Sequence, residues 1–218
     1  MYIDLVESLR CPRPHEKSAL VGVFAHVDER DVVDGVLGCP VCRAEFAIRD
    51  GVVWFVDPDP RGEGVIQAAD EAQAIRIAAF LDLTEPSGFA ILHGRWAAHA
   101  PIINGLSPIH LVLIDPPGEL GRASGFTVIR TDGAVPLAGR SAAAAAIDWP
   151  DPPEADRERA LATTAGLAAA VRPGGRLMAP ALAPVPENAH ELTRDPFVWV
   201  AERGAPMIRL TRNPRSAT

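Results

Sequence analysis

The segment CPVCRAEFAIRDGVVWF, residues 39–55, places Cys39 and Cys42 two residues apart, directly before an alternating apolar stretch. In a tight turn of this kind both thiolates can face one tetrahedral cation at about 2.3 Å, and the backbone amides of the turn support the sulfurs. Two cysteines supply only half of such a site. The remaining two ligands must come from elsewhere in the chain.

The chain has one further cysteine, Cys11, in the segment CPRPH at residues 11–15. This segment also offers the imidazole of His15. Cys11, His15, Cys39 and Cys42 would together form a Cys3His zinc site, and paired cysteines without signs of secretion indicate a metal more often than a disulfide. The sequence therefore predicts a small zinc ribbon at the N-terminus.

Two alternatives remain open for these residues. Cys39 and Cys42 could be reduced, buried side chains with Cys11 unrelated to them. His26 competes with His15 as the fourth ligand, because Pro14 stands where a ribbon usually repeats the two-residue spacing. His26 lies in an alternating segment at 21–27 that is typical of a strand, where a histidine is usually a packing or surface residue, so we favour His15.

Composition and charge exclude several classes of function. The chain has 218 residues, 48% of them hydrophobic, which suffices for one medium domain and a small one. It has no apolar run long enough to span a bilayer and no signal-peptide pattern, so we expect a cytoplasmic protein without membrane insertion. Its formal charge of −7 argues against direct nucleic-acid binding, which depends on Lys and Arg.

The order of sequence patterns predicts two domains. Residues 1–57 are assigned to the zinc ribbon, with one hairpin around Asp28 to Gly35 and another turning at Asp50-Gly51. A linker follows at 58–65, rich in Pro, Gly and Asp. Residues 66–218 are assigned to a doubly wound α/β domain.

Strand and helix patterns alternate through this second part. Helices are predicted at 65–83 and from Asp151, as N-cap, to Val171. Strands are predicted at 89–92, 111–114, 126–129 and 176–178, with a closing antiparallel pair at 197–202 and 206–211. The alanine-rich segment 142–147 fits either a helix or a crowded central strand.

Residues 1–57 resemble the small zinc-ribbon proteins of the tRNA-methyltransferase activator type. The resemblance rests on a leading Leu-rich segment, Cys-Pro at 11–12, CPVC at 39–42 and IRDGV at 48–52. It implies an adaptor that binds and stabilises a methyltransferase, often by extending the edge of a sheet. The chain departs from that pattern at His15, where a cysteine is expected.

Residues 66–211 resemble a class I S-adenosylmethionine-dependent methyltransferase. The resemblance implies that Gly94 belongs to the cofactor loop, that Asp115 holds the ribose hydroxyls and that Asp132 lies near adenine. VRPGGRL at 171–177 matches the loop before the fifth strand.

The cofactor loop departs from this pattern, because the family has glycines where this chain has Trp96 and Ala98. Glycines there let backbone approach the ligand, so Trp96 is expected to fill the space of the cofactor. No catalytic residue is evident after the fourth strand. There Asp148 and Trp149 are interpreted as ending the strand.

Other motifs carry little weight. DPPG at 115–118 lacks the aromatic residue of the base-methylating signature, and it follows the second strand rather than the fourth. His93, His99 and His110 share no helix face and are interpreted as core or surface residues.

Two hypotheses follow. The first, which the sequence favours, is a non-catalytic structural or regulatory subunit that binds protein partners in a larger assembly or a second copy of itself. The second is an active S-adenosylmethionine-dependent methyltransferase that its zinc ribbon stabilises in cis.

Overall fold

The computed structural model describes residues 1–57, 68–84, 88–118, 120, 125–150 and 152–205. The predicted linker at 58–65 and the predicted strand at 206–211 lie outside these residues. No helix in the described part of the chain is long and apolar enough to cross a membrane.

The N-terminal part consists of one short 3₁₀ helix and two hairpins. The helix covers Ile3–Ser8, and the strands are β1 (Val21–Asp28), β2 (Asp31–Gly38), β3 (Glu45–Arg49) and β4 (Val52–Trp54). The second hairpin turns at Asp50 and Gly51, with φ of 50° and 77°. Two consecutive positive φ values characterise the type I′ turn that suits the twist of a hairpin, so the Asp-Gly prediction is confirmed.

The rest of the chain alternates strands and helices. Its elements are α1 (Glu71–Phe80), β5 (Phe89–His93), a 3₁₀ helix (Gly94–His99), α2 (Ala100–Leu106), β6 (His110–Ile114), β7 (Phe126–Arg130), β8 (Ala142–Ala146), α3 (Glu154–Ala170), β9 (Val171–Pro180), β10 (Ala189–Arg194) and β11 (Val198–Arg203). The predicted mixed α/β architecture is confirmed.

The predicted helix boundaries need correction. α1 starts only after Asp70, whose carboxylate accepts a hydrogen bond from the Gln73 N–H at 2.7 Å and so caps the helix. α3 begins at Glu154 with Pro153 at the N-cap position, whereas the predicted cap Asp151 lies outside the described residues.

The structure settles one strand and changes two others. The alanine-rich segment is the central strand of the two alternatives, β8, enclosed between β5 and β9. The loop predicted at 171–177 lies within β9, where a register shift against β8 lets residues 172–175 bulge out. β11 pairs antiparallel with β9 on one side and with β10 on the other, and β10 is a mostly exposed strand that sequence patterns did not predict.

The eleven strands of the described residues form one sheet, in the order β1-β2-β3-β4-β7-β6-β5-β8-β9-β11-β10. β4 joins β7 in parallel, with Val53 opposite Ile129 and the Phe55 N–H donating to the Arg130 carbonyl at 2.9 Å. The N-terminal hairpins therefore continue the sheet of the α/β part. Strand order reverses between β5 and β8, which flank each other although β6 and β7 separate them in the chain.

Two hydrophobic cores cover the two faces of this sheet. One core joins the N-terminal 3₁₀ helix and the N-terminal hairpins to α3, through Leu9, Phe46 and Leu167 among others. The other lies under α1 and α2 and includes Ile77, Trp96 and Ile103. Because the first core contains residues from both parts of the chain, burial of the N-terminal hairpins depends on the α/β part.

Candidate functional site

Four side chains that the sequence predicts as metal ligands come together in the N-terminal part. The ligand atoms of Cys11, His15, Cys39 and Cys42 all lie within 4.8 Å of one another. Cys11 and Cys39 are buried, and Cys42 is exposed. The cluster could hold a metal ion.

The distances within this cluster match the edges of a tetrahedral site. Cys11 Sγ lies 3.7 Å from Cys42 Sγ, and His15 Nε2 lies 3.2 Å from Cys11 Sγ and 3.5 Å from Cys39 Sγ. A tetrahedral zinc ion with sulfur and nitrogen ligands has S···S edges of about 3.8 Å and S···N edges of about 3.5 Å. The four residues therefore fit a zinc ion in spacing and in donor type.

The imidazole of His15 is oriented for this role. Its Nδ1 lies 2.6 Å from the carbonyl oxygen of Glu16, to which it donates. The proton is thereby placed on Nδ1, and the lone pair of Nε2 faces the sulfurs. A ligating histidine typically shows this arrangement, in which its second nitrogen donates to a carbonyl or carboxylate.

The turn at 39–42 favours the thiolate form of its first cysteine. Burial opposes ionisation of Cys39, but the backbone N–H groups of Cys42 and Val41 lower the pKa of this thiol to about 6. Burial raises the pKa of the Cys11 thiol to about 11. Without a cation, the Cys39 sulfur is thus deprotonated far more readily than the Cys11 sulfur.

The competing ligand, His26, lies elsewhere. It belongs to β1, and its Nδ1 is 3.9 Å from the Asp34 carboxylate, with 63% of the side chain exposed. The structure therefore places His15, and not His26, beside the three cysteines.

A second candidate site lies at the carboxyl ends of the parallel strands, where strand order reverses. A cleft of about 480 Å³ opens there, lined by His93, Thr131, Asp132, Gly133, Asp148, Pro150, Pro152, Pro153, Asp156, Arg159, Ala160 and Thr163. Open α/β sheets bind ligands in the crevice outside the carboxyl ends at such a reversal. The volume is within the range of small-molecule sites.

Asp115, a predicted cofactor ligand, lies beside this cleft. Its carboxylate accepts hydrogen bonds from the N–H and hydroxyl of Thr131, at 2.6 and 2.5 Å. Burial raises the pKa of Asp115 above its usual value, although Thr131 counteracts the shift. These bonds fix the position of the carboxylate between the ends of β6 and β7.

The other two predicted cofactor residues, Asp132 and Gly94, lie in two different environments. Asp132 follows β7 and lines the cleft. Gly94 has φ of 59°, and a Cβ atom there would lie 2.5 Å from an oxygen of Asp148. Glycine is thus required at residue 94 by the close approach of Asp148.

Trp96 does not fill the cleft, contrary to the expectation from sequence. Its side chain is 6% exposed, packs in the core under α1 and α2, and donates from Nε1 to the Ile147 carbonyl at 3.0 Å. The 3₁₀ helix after β5 turns the indole toward this core, so its bulk is accommodated away from the strand ends.

Sequence patterns gave no site role to His93 and Asp148, which line the cleft, or to Arg95, which contacts Asp148. His93 Nδ1 accepts a hydrogen bond from the Asp148 N–H at 3.2 Å, which leaves Nε2 as the donor of the neutral ring. Burial lowers the pKa of His93, despite the nearby carboxylates of Asp115 and Asp148. Its place directly after a buried strand is the signal that could have identified it, because the carboxyl ends of parallel strands form the ligand-binding edge.

A larger cavity of about 610 Å³ lies at the opposite, amino ends of the strands, between the N-terminal hairpins and the α/β part. Tyr2, Arg30 and His110 are among its lining residues. Tyr2 and His110 stack there with ring centroids 4.8 Å apart. These contacts join the two parts of the chain, and the carboxyl-end cleft is the stronger candidate for a ligand site.

Comparisons with known proteins give no sequence relative. No protein-family model matches the chain, and no curated protein matches it either. Several solved methyltransferase structures are similar at the level of the mixed α/β sheet.

Three of these structures illustrate the level of similarity. The antibiotic-resistance methyltransferase Kmr is 14% identical over 61% of this chain and 93% of its own, with a TM-score of 0.41. An S-adenosyl-L-methionine methyl transferase from Silicibacter pomeroyi is 15% identical over 60% and 89%, with a TM-score of 0.44. A chain from the complex between the Haloferax volcanii Trm112 methyltransferase activator and the putative methyltransferase is 14% identical over 49% of this chain and 50% of its own, with a TM-score of 0.38. At these TM-scores the similarity supports no conclusion about activity.

Proposed function

We propose that this chain binds S-adenosylmethionine in the carboxyl-end cleft and is a methyltransferase stabilised in cis by an N-terminal zinc ribbon. The observation that carries the proposal is an open cleft at the strand-order reversal, with Trp96 outside it. The main reason for expecting a lost cofactor site was the bulk of Trp96. With that bulk buried in a core, the active alternative is the better supported of the two hypotheses.

The proposal assigns roles to the acidic residues at the strand ends. Asp115 would accept hydrogen bonds from the ribose hydroxyls, since each carboxylate oxygen has two lone pairs and Thr131 uses one on each. Asp132 lies on the cleft wall, where it would contact the nucleoside. Gly94 would contribute through the tight turn that follows β5.

Zinc would serve the fold and not the chemistry. Cys11, His15, Cys39 and Cys42 would hold the ion, and a domain as small as residues 1–57 gains much of its folding energy from such a site. The ribbon would support the cleft through the pairing of β4 with β7, because Thr131 directly follows β7. On this proposal residues 66–218 form the methyltransferase unit and 58–65 the linker.

Asp115→Ala tests the assignment of the cofactor site. Equilibrium dialysis with labelled S-adenosylmethionine should show binding to the wild type and loss of at least tenfold in affinity for this variant. Glu158→Ala is the matched control, because Glu158 is an exposed carboxylate on α3 that does not line the cleft. Equal affinities of the two variants would contradict the assignment.

A non-catalytic role in an assembly is the second candidate. The free edge of the sheet at β1 favours it, since Val21 and Val23 are 59% and 73% exposed there. Exposed apolar edge strands commonly pair with another chain. Absence of cofactor binding together with a stable dimer or a co-purifying protein would favour this function.

A further inference from the structure

We propose that Asp148 occupies the anion position beside the Gly94 turn, residues 93–96, so that the cleft binds S-adenosylmethionine but binds adenosine derivatives without a carboxylate at that position more tightly. The inference rests on the proposed function, because it concerns which adenosine derivatives the cleft accepts. It makes Asp148 a specificity-determining residue.

The groups that would attract a ligand anion are already paired with Asp148. Its Oδ2 accepts a hydrogen bond from the Arg95 N–H at 3.1 Å. Its Oδ1 lies 3.1 Å from Arg95 Nε as an ion pair and has no hydrogen-bond partner among the described residues. Only 14% of the Asp148 side chain is exposed. A backbone N–H and a guanidinium converging on one carboxylate form a strong charge-assisted pair, which a ligand carboxylate would have to displace.

The backbone is shaped around this carboxylate. A Cβ at Gly94 would lie 2.5 Å from Asp148 Oδ2 and 2.7 Å from its Cβ, so the turn and the aspartate are in direct contact. A ligand group therefore has no room between them while Asp148 keeps its position.

Two further bonds hold the ends of β5 and β8 together at this point. The Asp148 N–H donates to His93 Nδ1, and the Trp96 indole donates to the Ile147 carbonyl. The Arg95 guanidinium also lies over the Trp96 ring, 4.9 Å from its centroid. Asp148 is thus held by its backbone N–H bond to His93, and Arg95 by its contact with the Trp96 ring, although the Arg95 side chain is 46% exposed.

The remaining charges of the cleft disfavour an anion as well. Asp132 and Asp156 line it together with one arginine, Arg159, which already pairs with Asp156 at 3.0 Å. A neutral or cationic ligand is favoured there over one that carries a carboxylate.

A pair of ligands that differ only by one carboxylate tests this selectivity. Calorimetry would compare S-adenosylhomocysteine with its decarboxylated analogue, which keeps the amine. We expect the wild type to bind the analogue about tenfold tighter, and Asp148→Asn to reduce that ratio by about tenfold. Glu158→Gln removes an exposed carboxylate of α3 that does not line the cleft, and it should leave the ratio unchanged. Equal or tighter wild-type binding of S-adenosylhomocysteine would overturn the proposal.

A second experiment needs no nucleoside. Asp148→Gly leaves the Arg95 groups without their carboxylate, so formate should raise the melting temperature of this variant saturably, relative to chloride at equal ionic strength. Asp156→Gly should show no such rescue. A formate effect of equal size in both variants, or in neither, would overturn the proposed anion position. If no adenosine derivative binds any variant, the proposed function fails, and the formate result alone decides whether Asp148 fills an anion position.

Discussion

Replacing His15 by alanine should release the metal ion from the N-terminal cluster, whereas replacing His26 should not. A structural zinc site contributes about 10–16 kcal/mol of binding free energy, so one ligand in four accounts for roughly 3 kcal/mol. That corresponds to about a hundredfold loss of affinity. The His15 imidazole lies 3.2 and 3.5 Å from two of the sulfurs, so its removal opens one corner of the tetrahedron.

The same loss should propagate into the sheet. Residues of the ribbon share a hydrophobic core with Leu167 of α3, and β4 pairs with β7. We therefore expect His15→Ala to lower the free energy of unfolding by about 3 kcal/mol. His26 is mostly exposed and makes one contact at 3.9 Å, so His26→Ala should change stability by less than about 0.5 kcal/mol.

Elemental analysis after dialysis against a moderate chelator measures the loss of metal, and urea unfolding measures the loss of stability. The wild type and His26→Ala should retain about one zinc per chain. Retention of metal by His15→Ala together with its loss from His26→Ala would refute the ligand assignment. Absence of metal from the freshly purified wild type would refute the site itself.

Three further changes test the packing around the strand ends. Gly94→Ala should destabilise the protein by about 3 kcal/mol in thermal unfolding, because the backbone is left-handed there and the new Cβ would clash with Asp148. Gly88→Ala is the control: residue 88 has φ of 83° and open space around it, so the substitution should cost only about 1 kcal/mol. Burial lowers the pKa of His110 to about 4. The contribution of the neutral His110 to the free energy of unfolding should therefore be complete above pH 6.5 and fall by up to roughly 3 kcal/mol as the pH drops toward 4. His110→Gln should remove this part of the pH dependence. Trp96→Phe should lower the free energy of unfolding by about 1–3 kcal/mol and leave cofactor affinity unchanged, and a large gain in affinity would place the indole in the cleft after all.

Local chemistry explains which features the sequence could predict. The four metal-ligand candidates were identified because only three cysteines exist and their spacing carries geometric meaning. The Asp50-Gly51 turn was predictable for a similar reason, since few residue pairs adopt two positive φ values. Buried parallel strands such as β6 are continuous apolar runs.

Features that depend on distant contacts were not predictable. The direction of the Trp96 side chain depends on which face of the 3₁₀ helix meets the core. The presence of tryptophan where the family has glycine does not specify that direction. The pairing of Asp148 with Arg95 joins residues 53 positions apart. β10 was not predicted because it is an exposed edge strand without an apolar alternation.

The pairing of β4 with β7 is a further long-range feature. The N-terminal hairpins and the α/β part each have their own sequence pattern, and neither pattern specifies how the two parts join. The parallel register of Val53 with Ile129 follows from tertiary packing of the shared core. Through this junction, the hairpins beside the Cys/His cluster and the strands that end at the cleft belong to one sheet.

Calorimetric titration with S-adenosylmethionine tests the proposed function most directly. A cleft with Asp115 and Asp132 at the strand ends and Trp96 buried elsewhere should bind it with micromolar affinity, about −8 kcal/mol. No detectable heat at millimolar ligand, with the zinc-loaded protein folded, would contradict the proposal and leave an interaction protein built on this sheet.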